Sequence, residues 1–493
     1  MNEFDPHLAA QLLAYDRANP LLFNTGLFMV LFLGLLLAYQ AMRRWRTAKM
    51  LLVILFSLYF YYKSSAECCF ILLGVCLSDY ALGRWMGIVN SKLGRKLIIA
   101  LNVCLNVGML VYFKYFNLIF STLADMAGRS FDPLDIALPA GISFFTFRSI
   151  SYLVDIYRGQ IQPCRSLLDY VFFLTFFPPL LAGPVVRAKD MLPQIAANPQ
   201  ATSRMVSEGL FLIICGLLKK IVVADYLSGN FVDRVFENPS LYTGFENMMG
   251  SIGFALQLYC DFSGYSDMAI GLALLMGYRF KENFNSPYKS QSPTEFWKRW
   301  HISLSSWLMD YLYIPLGGNR KGKHRQRLNL MLTMLIGGLW HGASWMYLLW
   351  GGYNGLLLVG HKAVRKSWRL PEHLRNTQWA RCGNVVLTFI LITIGFTFFR
   401  ANSMQDLGDM YTAMFTNFHL DVLPQFVAGY ATIVALMVGA FALHFMPDRI
   451  YDRLIDRFTA MPLIGQSMML AIAIFIVIQT RQSSLVPFIY LQY

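Results

Sequence analysis

Apolar runs separated by short charged segments recur from Leu21 to Ile478, and runs of this kind predict membrane-spanning helices. They fall near 22–40, 50–62, 66–83, 97–120, 134–156, 208–226, 247–277, 328–345, 346–361, 384–400, 427–447 and 462–480. Most approach the ~20 apolar residues that a helix needs to cross the hydrocarbon layer. The pattern predicts an all-α polytopic membrane protein with an outer tail over 1–21, one transmembrane domain over 22–480 and a C-terminal tail over 481–493.

Three stretches depart from a simple crossing. Residues 168–183 are apolar, but Pro178-Pro179 and Gly183-Pro184 stop a helix, so a re-entrant segment is expected. Over 295–316, Trp297, Trp300, Leu304, Trp307, Leu308, Tyr311 and Leu312 recur at helical spacing opposite Lys298, Arg299, Ser306 and Asp310. That is an amphipathic helix lying at or dipping into the boundary, where tryptophan prefers to sit. In 247–277, Asp261 and Asp267 flank Phe262-Ser263-Gly264-Tyr265, a polar break expected to unwind the run.

Charge gives the loops a side. The segments 43–49, 84–96, 157–207, 278–327 and 362–382 carry net charges of +4, +4, +3, +7 and +5, whereas 1–21, 121–135, 227–246 and 400–426 carry −2 each. The two sets alternate as the positive-inside rule requires, with the basic loops cytoplasmic and both termini outside. Residues 1–19 are polar and acidic and have no basic n-region, so the first apolar segment is expected to be retained and not cleaved as a signal.

Composition narrows the class further. Charged residues make up 14% of the chain and hydrophobic ones 56%, against about 25% charged in ordinary soluble domains, which excludes a cytosolic globular protein. The net charge of +14 is a sidedness signal; with no soluble basic face and no recognition motif, nucleic acid is not an expected partner. The eight cysteines lack CxxC or Cys/His ligand spacing, so no metal site or disulfide framework is expected.

Ionisable groups inside apolar spans are costly and point to function. His341, in LIGGLWHGASWMYLLWGG, lies at membrane depth among Gly337, Gly338 and Gly342. Those glycines give the imidazole room and let another backbone or a substrate come close, so a cavity beside His341 is expected over a tight polar clamp. A neutral imidazole there could take the proton of a hydroxyl attacking a thioester and return it to the leaving thiolate. No GxSxG elbow is present, so a serine acyl-enzyme is not favoured. His301 precedes this span in the amphipathic segment, and alone reads as an interface anchor. Asp79, Lys114, Arg148, Asp155, Asp261 and Asp267 read as structural pairs; the alternative is a coupling path in a secondary transporter, although no inverted halves are visible. GGNRKGK at 317–323 is not a phosphate-binding P-loop, and its charge reads first as topological, with contact to an anionic donor as the functional alternative.

Several segments together resemble one family. RWHISLSSWLMDYLYIPLGGN (299–319) followed by GGLWHGASW (337–345) is similar to the signature pair of the membrane-bound O-acyltransferases. PAGISFFTFRSISYLVDIYRG (139–159), FPPLLAGPVVR (177–187) and YCDFSGYSDMAIGLALLMGYRFKENFNSPY (259–288) resemble its bacterial polysaccharide branch, giving a motif core over 139–345.

The resemblance implies about 11–12 transmembrane helices with re-entrant and in-plane helices around a central tunnel. It implies that His341 matches the catalytic histidine of the WHG motif, and that His301, in RWH, supports the donor. Trp297 and Arg299 are then expected to shape the cytoplasmic mouth and bind substrate. The implied reaction moves an acyl group, acetyl in this branch, from a cytosolic thioester such as acetyl-CoA, with no bound cofactor. The acceptor is an exopolysaccharide such as alginate or cellulose, reached through a periplasmic acetyltransferase-type partner in a bacterial inner membrane. D-alanyl transfer to teichoic acid or acetyl transfer to peptidoglycan are the alternatives within the family.

Overall fold

Where the first turn finds a cap and no breaker intervenes, the predicted runs are helical. Thr25 shows the pattern: its Oγ1 accepts the Phe28 N–H at 3.3 Å and opens the first long helix. The computed structural model describes residues 13–16, 19–367, 377–480 and 488–489, and among these the regular elements are all helical. Most of the two expected tails, 1–12, 17–18, 481–487 and 490–493, lies outside the described residues.

The helices in chain order are α1 (Gly26–Ala41), α2 (Arg46–Ser65), α3 (Cys69–Ile88), α4 (Lys92–Leu110), α5 (Phe116–Met126), α6 (Ile142–Tyr157), α7 (Leu167–Thr175), α8 (Ala188–Ala197) and α9 (Ser203–Leu217). There follow α10 (Asp233–Glu237), α11 (Gly244–Leu275), α12 (Pro293–Arg299), α13 (Ile302–Leu308), α14 (Gly322–His341), α15 (Trp345–Ser367) and α16 (Gln378–Arg400). The last are α17 (Met404–Thr416), α18 (Leu423–Gly429), α19 (Ala431–His444), α20 (Asp448–Ala460) and α21 (Leu463–Thr480).

On length and apolarity alone, Arg46–Ile88, Lys92–Met126, Gln378–Arg400 and Leu463–Thr480 can cross a membrane, and α18 meets α19 at a bend of 96°. Other expected spans are helical but shorter, as α1 is, or carry buried charge, as α11 does. A helix shielded by its neighbours needs less length and less apolarity than one facing lipid.

The chain divides into two compact units: residues 1–209 with 269–280, and 210–268 with 281–493. In the first, α7 is followed by the irregular segment 176–187, which is buried throughout. Phe177 at its start packs within 5.0 Å of Phe56 and 5.8 Å of Phe60. Non-helical backbone at depth is tolerable when protein covers it, which fits the expected re-entrant stretch. The run predicted over 134–156 becomes helical only at Ile142, because Gly141 turns at φ 69° and a Cβ there would meet Leu180 O at 2.6 Å.

The same unit buries Asp79 under three donors: Asn102 Nδ2 at 2.8 Å, Ser149 Oγ at 2.7 Å and Tyr170 OH at 2.8 Å. Arg148 donates to Phe173 O.

In the second unit α11 stays helical through Phe262-Ser263-Gly264-Tyr265, contrary to the expected unwinding. The polar residues there serve packing. A Cβ on Gly264 would lie 2.8 Å from Gly216 O and one on Gly216 would lie 2.6 Å from Gly264 O, so two helical segments touch backbone to backbone. Asp261 and Asp267 find Lys220 Nζ at 2.6 Å and Lys219 Nζ at 2.7 Å on the facing segment. With backbone hydrogen bonds intact and charges paired, nothing forces the helix open.

Candidate active site

The RWH segment is built by local capping and by one asparagine. Ser292 caps α12, accepting the Glu295 N–H at 3.2 Å, while Glu295 reaches back to the Gln291 N–H at 3.0 Å. The continuous helix expected over 295–316 is broken at Trp300-His301. His301 takes a left-handed conformation, φ 44°, ψ 55°, which costs a non-glycine residue about 1–2 kcal/mol. Asn283 meets the freed donors: its carbonyl accepts the Ile302 N–H at 2.9 Å, and its Oδ1 accepts the Ser303 N–H at 3.2 Å and hydroxyl at 2.8 Å. Trp300 anchors the break by packing between Phe296, at 5.4 Å, and Phe396, at 5.1 Å. His301 is thereby turned into the interior and fully buried, with its ring 4.6 Å from that of Phe262.

His341 ends α14 and is 5% exposed. Of the three glycines beside it, two serve a close helix hairpin and not open space. A Cβ on Gly338 would lie 2.3 Å from Tyr347 O, and one on Gly342 would lie 2.1 Å from the Tyr347 ring. Gly351 returns the contact, its would-be Cβ 2.4 Å from Met334 O, so α14 and α15 meet backbone to backbone and fix His341 against α15. At Gly338 and Gly342 the space expected as a cavity is taken by Tyr347 of the facing helix.

The two histidines stand on either side of one side chain: Trp340 lies 5.9 Å from His301 and 5.0 Å from His341, ring centre to ring centre. Trp350 at 4.9 Å and Phe399 at 5.4 Å complete an aromatic wall around His341. Trp297 joins that wall, 5.7 Å from Trp350. Arg299 is held elsewhere: its guanidinium bonds Glu295 at 2.9 Å and Asn285 O at 3.2 Å and stays partly exposed. The structure thus gathers His301, His341 and Trp297, and places Arg299 as a brace of the 283–301 turn.

Nearby, Tyr288 N–H donates to His444 Nε2 at 3.1 Å, and Lys289 donates to the exposed Asp448 at 2.8 Å. That hydrogen bond holds the Asp448 carboxyl below its ordinary pKa.

The sequence profile of the membrane-bound O-acyltransferase family, MBOAT, matches residues 21–405. The chain belongs to that family. As a membrane-bound O-acyltransferase it is a multi-pass membrane enzyme, and its relatives share much of its length. It is 41% identical over 404 residues, 80% of each chain, to the probable alginate O-acetylase AlgI of Pseudomonas putida. It is 39% identical to the same-named protein of Pseudomonas aeruginosa, over 86% of this chain and 80% of the other. The peptidoglycan O-acetyltransferase of Helicobacter pylori is 34% identical over 81% of this chain and 80% of its own.

Sequence reasoning passed over three residues of this acyltransferase's aromatic wall and turn: Trp350, Phe399 and Asn283. Trp350 stands nine positions after His341 inside the same quoted motif, and Asn283 inside KENFNSPY, so both were findable as polar-tipped residues within motifs. Phe399 carried no signal, because an apolar residue in an apolar span looks like any other.

Proposed function

We propose that this acyltransferase moves an acetyl group from a cytosolic thioester, acetyl-CoA or another acyl thioester, across a bacterial inner membrane for O-acetylation of an exopolysaccharide such as alginate or cellulose. A periplasmic acetyltransferase-type partner receives the group and passes it on, and both termini of the chain face the periplasm. The observation that carries the reading is the pair of buried histidines on one tryptophan, in a chain whose relatives are named for acetyl transfer to alginate.

His341 is the general base. Its imidazole takes the proton of the attacking hydroxyl while the oxygen bonds to the thioester carbonyl carbon. The C–S bond then breaks, and the imidazolium returns the proton to the leaving thiolate. The ordered aromatic wall excludes water, so hydrolysis of the thioester does not compete. His301 supports the donor, and Trp297 lines its approach. The basic loops fall on the side from which an anionic donor arrives.

A second reading, acetyl transfer to peptidoglycan, is favoured by the 34% identity to the Helicobacter pylori enzyme, and carrier-linked D-alanyl transfer is the further alternative. Purified protein offered labelled acetyl-CoA and a loaded carrier separates the donors. With the periplasmic partner and polysaccharide supplied, consumption of acetyl-CoA with label entering polysaccharide is expected; consumption of the carrier alone would overturn the donor assignment. Substitution His301→Ala should leave insertion intact and weaken transfer most at limiting donor, seen as a raised KM. Undiminished transfer at limiting donor would remove His301 from the site.

A further inference from the structure

Two indole donors of the aromatic wall, that of Trp350 against His341 and that of Trp297 against Trp350, have no part in the proton transfer just described. Trp350 is 2% exposed, and its Nε1 is buried with no hydrogen-bond partner. Nε1 of Trp297 is buried and unpartnered in the same way. The Trp350 ring stands nearly perpendicular to both neighbours, at 85° to His341 and 77° to Trp297. Buried indole N–H groups usually find an acceptor, and leaving one unsatisfied costs about 1–3 kcal/mol. Two such donors, on two different helices, lie in one aromatic wall: the Trp350 ring packs 4.9 Å from His341, and the Trp297 ring packs 5.7 Å from Trp350. Phe399 lies 5.5 Å from Trp350 and Phe296 5.5 Å from Trp297, ring centre to ring centre, and neither ring offers an oxygen.

We propose that Trp350 and Trp297 donate their Nε1–H groups to the carbonyl oxygen of the acyl thioester, and hold the negative charge that forms there as the hydroxyl attacks. This rests on the acyl-transfer reading and adds to it the groups that stabilise the oxyanion. The electron balance requires such groups: as the hydroxyl oxygen bonds to the carbonyl carbon and His341 takes its proton, the C=O electron pair moves onto oxygen. That pair returns when the C–S bond breaks and the thiolate leaves with the proton. Neutral donors fixed in a dry aromatic wall stabilise this charge without reorganising. An indole N–H suits a carbonyl oxygen, whereas a phosphate or carboxylate would call for a cation that this wall lacks. The donor therefore presents its acyl carbonyl to the tryptophans and keeps its charged part elsewhere.

The substitutions Trp350→Phe and Trp297→Phe keep an aromatic ring and remove the N–H. In the purified full-length protein, with the acceptor partner and polysaccharide supplied, thiol release from acetyl-CoA and from an acetylated carrier is measured beside the variants' thermal midpoints. Each variant should lose about 10²–10³-fold in kcat, the usual worth of one oxyanion donor, with the KM for donor little changed. The midpoint should hold or rise, because an unsatisfied buried donor has been removed. A spectroscopic arm uses a [1-13C]acetyl thioester bound to the inactive His341→Ala variant: its carbonyl stretch should shift upward when Trp350→Phe is added. Full kcat in both Phe variants, with His341→Ala inactive, overturns the proposal and leaves acyl transfer standing. Activity in all three variants overturns acyl transfer at His341 itself. A kcat that falls only together with the midpoint, and an unmoved carbonyl stretch, assign the indoles to packing and also overturn it.

Discussion

His341→Ala should insert and fold like the wild-type protein and yet lose acyl transfer by at least about 10²–10⁴-fold, the usual contribution of a positioned general base. Folding should survive because the close backbone contact of the α14–α15 hairpin runs through Gly338 and Gly351, which the substitution leaves in place. The measurement is label transferred from donor to polysaccharide in membranes with equal amounts of inserted protein, with donor saturating. Saturation matters: a residue that only binds donor would recover at high concentration, whereas loss of the base would not. Retained transfer at equal insertion would take the chemistry away from His341. The same experiment bears on the transporter alternative, which needs a gradient-driven flux indifferent to this residue.

Much of this arrangement was legible in the sequence. Period and run length located α2 to α4, α14 to α16 and α21, and the glycine and proline punctuation at 178–184 marked the irregular segment after α7. What was not legible depends on partners far away in the chain. The spacing of Trp297, Trp300, Trp307 and Tyr311 is helical, so it predicted one helix; the break at His301 comes from Asn283, eighteen positions upstream and not part of that periodicity. Asp261 and Asp267 in an apolar run predicted an unwound break, because the pattern of one segment does not show that Lys220 and Lys219 stand opposite. The glycines around His341 signalled a cavity, and only the facing Tyr347 shows that a neighbouring helix fills that space. The motif did not show that Glu295, four residues earlier, pairs with Arg299, which stays partly exposed.

Lys220→Met should be the most damaging of the conservative-volume substitutions. The Lys220 ammonium lies 2.6 Å from Asp261 and 2.7 Å from Asp225, with side-chain exposures of 1%, 6% and 12%. Asp261 is also tied on its other oxygen, accepting the Ile489 N–H at 3.0 Å. Two carboxylates left without their shared cation in this interior must take up protons or draw in water, and breaking a buried pair in this way costs about 3–5 kcal/mol. The expected result is a large drop in folded yield and a lowered thermal midpoint in detergent. Lys219→Met supplies the comparison: its pair with Asp267, with side-chain exposures of 33% and 21%, also lies in a membrane-spanning run, but the substitution strands one carboxylate where Lys220→Met strands two, so it should cost less than Lys220→Met. Adding Asp225→Asn and Asp261→Asn to Lys220→Met removes the unpaired charge and should restore much of the lost stability, since an ion cluster replaced as a whole can be neutral. Equal tolerance of Lys220→Met and Lys219→Met would show that the triad carries no such burden. Recovery in the triple variant with acyl transfer intact would separate these charges from the chemistry at His341, since a path that moved ions or protons through Asp261 could not survive its neutralisation.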